Sequence, residues 1–258
     1  MASELEHRGL PGKVVVTGGS SGIGLAVAAF FLEAGAHVGI VGRDPSRLEA
    51  AAEGLRAVGP DRVGTACADV GDGARIGGAI DALAQDMGGI DLLVAAAGIE
   101  GEMGASCEEV SESSFRDVLD TNVLGTFLAV RHALPHLKRA RNGNVVIVGS
   151  DSGFVAVPGM LAYNAAKGAL VQLTRALAVE LFDAHGIRVN SVCPSIVDTP
   201  MARRGLGVDS FEDAPYPVQD PEDIAWTVGY LASRHSRAIN GVNLLSDFGY
   251  TGRSSFPA

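Results

Sequence analysis

Thr17-Gly-Gly-Ser-Ser-Gly-Ile-Gly24 follows a short apolar run and leads directly into the helix-like segment Leu25-Ala-Val-Ala-Ala-Phe-Phe31. Between a strand and a helix, Gly18 suits a tight turn, Gly22 lets the backbone approach a pyrophosphate, and Gly24 permits close packing of helix on strand. The first turn of the helix offers free N–H groups and the positive end of its dipole to phosphate oxygens. The glycine spacing is G-x-x-x-G-x-G rather than G-x-G-x-x-G, but the flanking strand and helix predict a dinucleotide-binding turn.

The rest of the chain repeats this alternation of an apolar run and a longer helix-like segment. Continuous Val/Ile/Leu runs are typical of strands covered on both faces, and strict β–α alternation predicts a parallel sheet with right-handed crossovers. We therefore predict a single α/β domain over residues 1–258, built on one doubly wound sheet of about seven strands with helices on both faces. The predicted strands are Val14–Thr17, His37–Val41, Val63–Cys67, Leu92–Ala95, Asn144–Val148, Arg188–Val192 and Val242–Leu245. The predicted helices lie near residues 23–34, 45–58, 72–87, 112–138, 161–184 and 221–233.

Composition narrows the class of protein. The 258 residues are 47% hydrophobic and carry a net charge of −10, so the chain can bury a large core but is poorly suited to nucleic acid or anionic membrane. No apolar run of about 18 residues is present, and the charged N-terminus lacks the pattern of a secretory leader. The cysteines (Cys67, Cys107 and Cys193) are odd in number and show no zinc-ligand spacing, so we expect reduced thiols, a cytoplasmic protein and no metal site.

The end of the second predicted strand bears on the choice of nicotinamide cofactor. An NAD site needs a carboxylate there for the ribose 2′-OH, whereas an NADP site needs an arginine for the 2′-phosphate. Gly42 cannot reach a hydroxyl, and Arg43 can hold a phosphate. Asp44 stands where an NAD-type carboxylate would, although it is equally explained as the N-cap of a helix with Pro45 at its first position. We favour NADP(H), with NAD(H) as the alternative.

Tyr163-Asn-Ala-Ala-Lys167 is the most unusual pair of residue types in the chain. Only three lysines occur among 20 basic residues, so chance would place one four residues after a tyrosine about 0.05 times. Residues at this spacing share one helix face. A nearby ammonium stabilises a phenolate, and a tyrosine with a lowered pKa can exchange a proton with a substrate oxygen. The alternative is an ordinary exposed Tyr–Lys pair.

Ser150 lies 13 residues before the tyrosine, in Val148-Gly-Ser-Asp-Ser-Gly153. It follows a predicted parallel strand, and doubly wound folds bind ligands at that end of the sheet. A hydroxyl there can hold a substrate oxygen, with Ser152 as a second contact, although Ser-Asp-Ser-Gly is also a good turn. The absence of a G-x-S-x-G elbow and of a nearby His–carboxylate pair argues against Ser150 as a nucleophile.

The chain resembles the short-chain dehydrogenase/reductase family over about residues 12–249. The resemblance rests on four features together: TGGSSGIG, Ser150, YNAAK, and Asn122 within Thr121-Asn-Val-Leu-Gly125. The resemblance implies a Rossmann-type domain, a nicotinamide cofactor and a catalytic set of Asn122, Ser150, Tyr163 and Lys167. It implies that Tyr163 is the acid/base and that Ser150 orients and polarises the substrate oxygen. Lys167 would lower the tyrosine pKa and bond the nicotinamide ribose, and Asn122 would hold a water in a proton relay. Asn122 alone would otherwise be a plain polar residue within a helix.

The expected binding residues extend around this set. Asp69 would meet the adenine, with a loop cap as the alternative. The expected cofactor contacts are Gly18, Ser20, Ser21, Gly22, Ile23, Gly24, Arg43, Asp69, Val70, Ala97, Gly98, Tyr163, Lys167, Pro194 and Thr199. The expected substrate contacts are Ser150, Ser152, Phe154 and Tyr163. The pocket walls are expected from Val155, from residues 99–107 and from a substrate loop at about residues 194–220. This loop contains Met201, Leu206, Phe211 and Tyr216.

These walls favour a mainly apolar carbonyl or alcohol substrate. In the loop, Arg203 and Arg204 are candidates for an anionic group, although exposed loop arginines are commoner. The chain departs from the usual family pattern at three places, each beside the expected site. They are Ala95-Ala-Ala-Gly98 in place of Asn-Asn-Ala-Gly or Asn-Ala-Ala-Gly, Pro194-Ser195 in place of Pro-Gly, and Asp247-Phe248-Gly249 in place of Asp-Gly-Gly.

The leading hypothesis is an NAD(P)-dependent oxidoreductase that transfers a hydride between the cofactor and a secondary alcohol or ketone. The alternative is a non-catalytic NAD(P)-binding sensor or scaffold, which would need only the glycine turn. The family resemblance also implies a homotetramer, or a homodimer, formed through the helices near 112–138 and 161–184. A face of small residues in the second helix would allow close approach of a partner, or would pack inside one subunit: Ala162, Ala165, Ala166, Ala169 and Ala176.

Overall fold

The computed structural model describes residues 9–253. Seven parallel strands form one sheet in the order β3-β2-β1-β4-β5-β6-β7. The strands are β1 (Lys13–Thr17), β2 (His37–Gly42), β3 (Val63–Cys67), β4 (Leu92–Ala95), β5 (Asn144–Val148), β6 (Arg188–Pro194) and β7 (Asn243–Ser246). Each predicted strand is present to within two residues, and the predicted doubly wound α/β fold is confirmed.

Helices cover both faces of this sheet. They are α1 (Gly22–Glu33), α2 (Pro45–Arg56), α3 (Gly73–Met87), α4 (Glu112–Leu119), α5 (Gly125–Leu137), α6 (Leu161–His185), α7 (Pro200–Leu206) and α8 (Pro221–Ala232). Two differences from the sequence prediction concern the site. The segment near 112–138 is divided between α4 and α5, and the irregular stretch after β6 contains α7.

The buried residues form two large clusters, one on each face of the sheet. Val14 and Val16 pack with α1, α2 and α8, whereas Val15 packs on the opposite face with α3, α5 and α6. Successive residues of a strand point to opposite faces, so a strand covered on both sides must be apolar at every position. This explains why β1 is a continuous valine run rather than an alternating pattern.

The strand order reverses at β1, which pairs with β2 on one side and β4 on the other. The connections that leave the carboxyl ends of β1 and β4 therefore diverge, and doubly wound folds bind ligands in the crevice that results. Gly18 has φ +68, and a Cβ on it would lie 2.8 Å from the Cα of Ala97. A side chain at Gly18 would thus push apart the two connections that form the crevice.

A π-helical turn, Asp120–Leu124, separates α4 from α5. Within it, the Asn122 side chain accepts a hydrogen bond from the Ile99 N–H (2.8 Å) and donates one to the Ile99 carbonyl (3.0 Å). The turn is thereby fixed to the segment that follows β4. Single π-helical turns inside α-helices often lie at functional sites, and this one stands against the crevice.

The segment between β6 and α8 carries the short helix α7 over the crevice. Thr199 caps α7, since its Oγ1 accepts a hydrogen bond from Ala202 N (3.2 Å), and Gly207 ends the helix with φ +64. An isolated bridge between Val197 and Gln219 closes the base of the segment. A threonine N-cap with proline at the first position and glycine after the last is a recognisable helix pattern, so α7 was open to prediction from the sequence.

Candidate active site

A cleft of about 1170 Å³ opens at the carboxyl ends of the strands. Of the predicted catalytic residues, Ser150, Tyr163 and Lys167 line it, and so does Ser152. Every predicted cofactor contact also lines it: Gly18, Ser20, Ser21, Gly22, Ile23, Gly24, Arg43, Asp69, Val70, Ala97, Gly98, Tyr163, Lys167, Pro194 and Thr199. One cavity therefore brings together the glycine turn and the reacting residues.

The predicted substrate contact Phe154 is placed differently. Ser150 caps a 3-10 turn, Asp151–Gly153, and beyond that turn the Phe154 side chain is 42% exposed and lies outside the residues that line the cleft. Val155 and Phe211 are likewise not among the lining residues, whereas Val157 and Met160 are. This tight turn, which the sequence analysis offered as the alternative at Ser-Asp-Ser-Gly, explains why the wall is formed further along the chain than predicted.

The glycine turn has room for a phosphate because its three key positions, Gly18, Gly22 and Gly24, have no side chains. A Cβ on Gly24 would lie 2.8 Å from the carbonyl carbon of Gly18, and one on Gly22, where φ is +51, would lie 3.1 Å from Cγ2 of Thr199. The Ser21 side chain makes no capping hydrogen bond to α1, so the N–H groups of the first turn remain available to a ligand. These residues fit the pyrophosphate of a dinucleotide.

Two carboxylates expected near the adenosine end have local partners. Asp44 Oδ1 accepts hydrogen bonds from Ser46 N and Arg47 N, both at 3.0 Å, so Asp44 is the N-cap of α2. Asp69 Oδ1 accepts one from Gly71 N at 2.9 Å and still lines the cleft. Asp44 is thus a cap, as one of the two alternatives had it, and both Arg43 and Asp44 line the cleft.

Tyr163 and Lys167 stand one turn apart at the start of α6. The lysine is only 6% exposed, and its Nζ donates a hydrogen bond to the Val148 carbonyl at the end of β5 (3.0 Å). The same Nζ lies 5.4 Å from the centroid of the Tyr163 ring. The hydrogen bond orients Lys167 across the end of the sheet, beside the tyrosine.

The electrostatics of this pair differ from the sequence prediction. Desolvation raises the pKa of Tyr163 to about 12, although the Ser150 hydroxyl opposes the shift, and the charges of Asp151 and Glu100 raise that pKa further. Burial lowers the pKa of Lys167 to about 8. In the protein alone, the net shift of the Tyr163 pKa is therefore opposite to the expected lowering, because burial acts against both charged forms.

Ser150 is held by two neighbours. Its Oγ donates a hydrogen bond to Asp151 Oδ1 (3.0 Å) and accepts one from Ser152 N (3.1 Å). The carboxylate of Asp151 also lines the cleft. The sequence analysis did not single out Asp151, although an acidic residue directly after the candidate serine was a visible signal.

Asn122 is 1% exposed, and it is not among the residues that line the cleft. Both ends of its side-chain amide bond to the backbone of Ile99. Its main-chain carbonyl accepts a hydrogen bond from Thr126 Oγ1 at 2.8 Å. Its side chain therefore fixes the π-helical turn.

The two loop arginines behave differently. Arg203 forms a two-pronged pair with Asp198, at 2.6 and 2.8 Å. Arg204 lines the cleft and reaches Glu100 with both Nε and Nη2, at 3.3 and 3.2 Å. Each arginine suggested for an anionic group thus already has a carboxylate partner, and the Arg204–Glu100 pair joins α7 to the segment after β4.

The departures from the family pattern have local consequences. Phe248 adopts φ +52 and is 59% exposed beside the cleft; a glycine takes this left-handed conformation without strain, whereas a phenylalanine does not. Ser195 also lines the cleft, and its N–H donates to the Ser246 carbonyl at 3.0 Å. In the Ala95–Gly98 stretch, the Ala97 N–H donates to Thr17 Oγ1 (3.3 Å), which ties the connections after β1 and β4.

The chain is similar to known proteins over most of its length. A profile described as short chain dehydrogenase matches residues 12–206. 2-(S)-hydroxypropyl-CoM dehydrogenase 3 of Xanthobacter autotrophicus is 37% identical over 248 residues, which cover 92% of this chain and 96% of that protein. Cis-4-hydroxycyclohexanecarboxylate dehydrogenase of Sinomonas cyclohexanicum is 36% identical over 242 residues, covering 92% and 95%.

A solved structure is similar in fold as well as in sequence. The 3-ketoacyl-(acyl-carrier-protein) reductase from Brucella melitensis, complexed with NADH, superposes with a TM-score of 0.84 at 32% identity and covers 93% of this chain and 98% of that one. The chain belongs to the short-chain dehydrogenase family. It is an enzyme that acts on CH–OH groups, on a fold that binds nicotinamide cofactors. Among residues 9–253, no helix is long and apolar enough to cross a bilayer.

Proposed function

We propose that this chain catalyses NAD(P)-dependent hydride transfer between the cofactor and a secondary alcohol or ketone, with Tyr163 as the general acid/base. The observation that carries the proposal is that Ser150, Tyr163 and Lys167 line the same cleft as the glycine turn. A bound nicotinamide dinucleotide supplies the hydride and, in its oxidised form, a positive charge. The protein supplies position, hydrogen bonds and the movement of the proton.

In the proposed mechanism, Ser150 and Tyr163 together hold the substrate oxygen. Because the Tyr163 pKa is about 12 in the protein alone, the phenol is protonated at neutral pH and ready to donate its proton to a ketone. For alcohol oxidation, positive charge near the ring must lower that pKa, and Lys167 and an oxidised cofactor would both provide it. The part in a proton relay proposed for Asn122 would fall to its main-chain oxygen, since its side chain is engaged by Ile99.

We further propose that residues 194–220 form the substrate loop of a one-domain enzyme, and that its substrate is small and mainly apolar. Five side chains support this by presenting apolar surface to the cleft: Met103, Val157, Met160, Leu206 and Tyr216. The names of the two curated relatives also describe secondary alcohols, a hydroxypropyl group attached to CoM and a hydroxycyclohexane that carries a carboxylate. Initial rates with cyclic, aromatic and acyclic ketones test the proposal. A non-catalytic sensor would bind the cofactor and reduce none of them.

NADP(H) is the proposed cofactor, because Arg43 lines the cleft and Asp44 is engaged as a helix cap. We expect Arg43→Gln to raise the KM for NADPH by about tenfold or more, since a hydrogen-bonded charge contributes about 1.5–3 kcal/mol. The KM for NADH, which has no 2′-phosphate, should change little and serves as the internal control. A wild-type enzyme that strongly prefers NADH would contradict this assignment.

A homotetramer is the proposed assembly, with a homodimer as the alternative. The predicted alanine face of α6 is divided, since Ala162 and Ala166 are buried within the subunit whereas Ala165, Ala169 and Ala176 are exposed. Larger apolar side chains are also exposed on the π-helical turn, α5 and α6: Leu124, Phe127, Leu161, Val179 and Phe182. A second exposed set lies on α8 and β7, the outer strand: Tyr230, Leu244 and Leu245. Two separate apolar faces support a tetramer over a dimer, because a closed dimer uses only one.

Light scattering tests the assembly. We expect a mass about four times the 26.5 kDa of the chain. Val179→Glu should lower that mass, because a buried unpaired charge is costly in an apolar interface. Val58→Glu, at an exposed valine after α2, is the matched control and should leave the mass unchanged. A monomeric wild-type protein would exclude the assembly.

We also propose a cytoplasmic location. The three cysteines are free, with Cys67 and Cys107 exposed and Cys193 buried. Exposed free thiols are typical of reducing compartments. Fractionation of the source cells, with the protein detected by antibody, tests this location.

A further inference from the structure

The proton of Ser150 has two possible acceptors in this site. A serine hydroxyl donates one hydrogen bond and accepts up to two. In the structure the donated bond goes to Asp151 Oδ1 (3.0 Å), and one accepted bond comes from Ser152 N (3.1 Å). What Ser150 still offers to the cleft is therefore a lone pair. In this arrangement the Ser150 oxygen can accept a hydrogen bond from the Tyr163 phenol, and it stabilises the phenolate only when the hydroxyl turns its own hydrogen from Asp151 to the tyrosine.

We propose that Asp151 competes with the Tyr163 oxygen for the one hydrogen bond that the Ser150 hydroxyl can donate. This competition sets the pH above which the enzyme oxidises alcohols. The inference rests on the proposed role of Tyr163 as the general acid/base. Asp151 does not itself donate to the substrate; it acts through Ser150 and is a positioning residue. While Asp151 accepts the hydrogen bond of Ser150, the Tyr163 phenolate lacks that donor, and the tyrosine stays protonated to higher pH.

The backbone holds the Asp151 carboxylate next to the Ser150 hydroxyl. Ser150 caps the 3-10 turn that Asp151 begins, so the carboxylate is fixed beside the hydroxyl by chain connectivity. Ser150 is buried, and Asp151 is partly buried and lines the cleft. Hydrogen bonds to a carboxylate are stronger than those between neutral groups. Asp151 is thus the stronger competitor until Tyr163 carries a negative charge of its own.

Other charged groups around the tyrosine act by charge alone. Lys167 lies on the same helix, 5.4 Å from the ring centroid, and the buried Cys193 on β6 is close enough to influence that lysine. Glu100, on the segment after β4, adds negative charge near Tyr163 and is partly neutralised by Arg204. The Ser150 hydroxyl donates its hydrogen bond to Asp151 and not to any of these groups. Glu100 is therefore the matched control: a carboxylate that acts on Tyr163 without engaging the Ser150 proton.

The test is the titration of Tyr163 in protein labelled with 13C at the tyrosine Cζ, with Tyr163→Phe used to assign the resonance. In Asp151→Ala, loss of the charge and release of the Ser150 proton both stabilise the phenolate. We expect the titration of Tyr163 in this variant to begin about one pH unit lower than in the wild-type protein. Asp151→Asn, which keeps the shape and a weaker acceptor, should give a smaller shift in the same direction. The rising limb of the pH profile for alcohol oxidation should move with the titration.

A Ser150→Ala background separates the two effects of Asp151. There the shift caused by Asp151→Ala should shrink, because no proton is left to release, whereas the shift caused by Glu100→Gln should be the same in both backgrounds. Equal Asp151→Ala shifts with and without Ser150 would overturn the inference and leave only a charge effect. If instead Tyr163→Phe retained full activity, the proposed function would fail, whatever the titration showed.

Discussion

Tyr163→Phe is expected to lower kcat by roughly 10²- to 10⁴-fold, the usual contribution of a positioned acid/base. The phenol is the proposed proton donor and acceptor for the substrate oxygen, and phenylalanine keeps the ring while removing that group. Cofactor affinity should change much less than kcat, because most of the expected cofactor contacts, the glycine turn included, lie elsewhere in the cleft. Steady-state rates and cofactor titration by fluorescence measure the two effects separately.

Tyr216→Phe is the matched control for this variant. Tyr216 also lines the cleft, but it lies in the substrate loop and has no lysine four residues later. We expect at most a change in KM for the substrate. Equal losses of kcat in the two variants would show that Tyr163 acts by packing and not by moving a proton.

The second large effect is expected at the glycine turn. A Cβ at Gly24 would press on the backbone of Gly18 and lie 3.2 Å from the Cα of Gly19. Neither backbone group can move without opening the turn, so we expect Gly24→Ala to destabilise the protein by about 1–3 kcal/mol and to abolish measurable cofactor binding. Urea denaturation and calorimetric titration with NADPH report the two changes.

Gly78→Ala is the control for the same substitution at a position with space for the added methyl group. Gly78 lies inside α3, and a Cβ added there would meet no heavy atom within 4 Å outside its own helix backbone and chain neighbours. Alanine is favoured over glycine inside a helix, so this variant should gain about 0.5–1 kcal/mol of stability with cofactor binding unchanged. Normal NADPH binding by Gly24→Ala would mean that the turn is not the phosphate site.

The sheet could be predicted from the sequence because its signal is local. A strand covered on both faces must be apolar at every position, and the valine run of β1 shows this directly. The glycine turn was recognisable for the same reason, since Gly18 needs a positive φ that other residues avoid. Ser150, Tyr163 and Lys167 were recognisable because their spacing places them at one edge of the sheet.

What could not be predicted depends on contacts between distant segments, on burial and on the exact course of the backbone. The π-helical turn exists because Asn122 bonds to Ile99, 23 residues earlier, and no periodicity reveals such a bond. The direction of the Tyr163 pKa shift follows from burial, whereas the sequence showed only the neighbouring lysine. Phe154 misses the cleft because a single tight turn redirects the chain after Ser150.

Deuterium transfer tests the central claim most directly. The wild-type protein would be incubated with reduced cofactor labelled with deuterium at C4 of the nicotinamide and with a panel of cyclic, aromatic and acyclic ketones. For at least one ketone we predict an alcohol with one deuterium on the carbinol carbon, in a yield that Tyr163→Phe reduces to background. Binding of the cofactor without deuterium transfer to any ketone would contradict the account and favour a non-catalytic role.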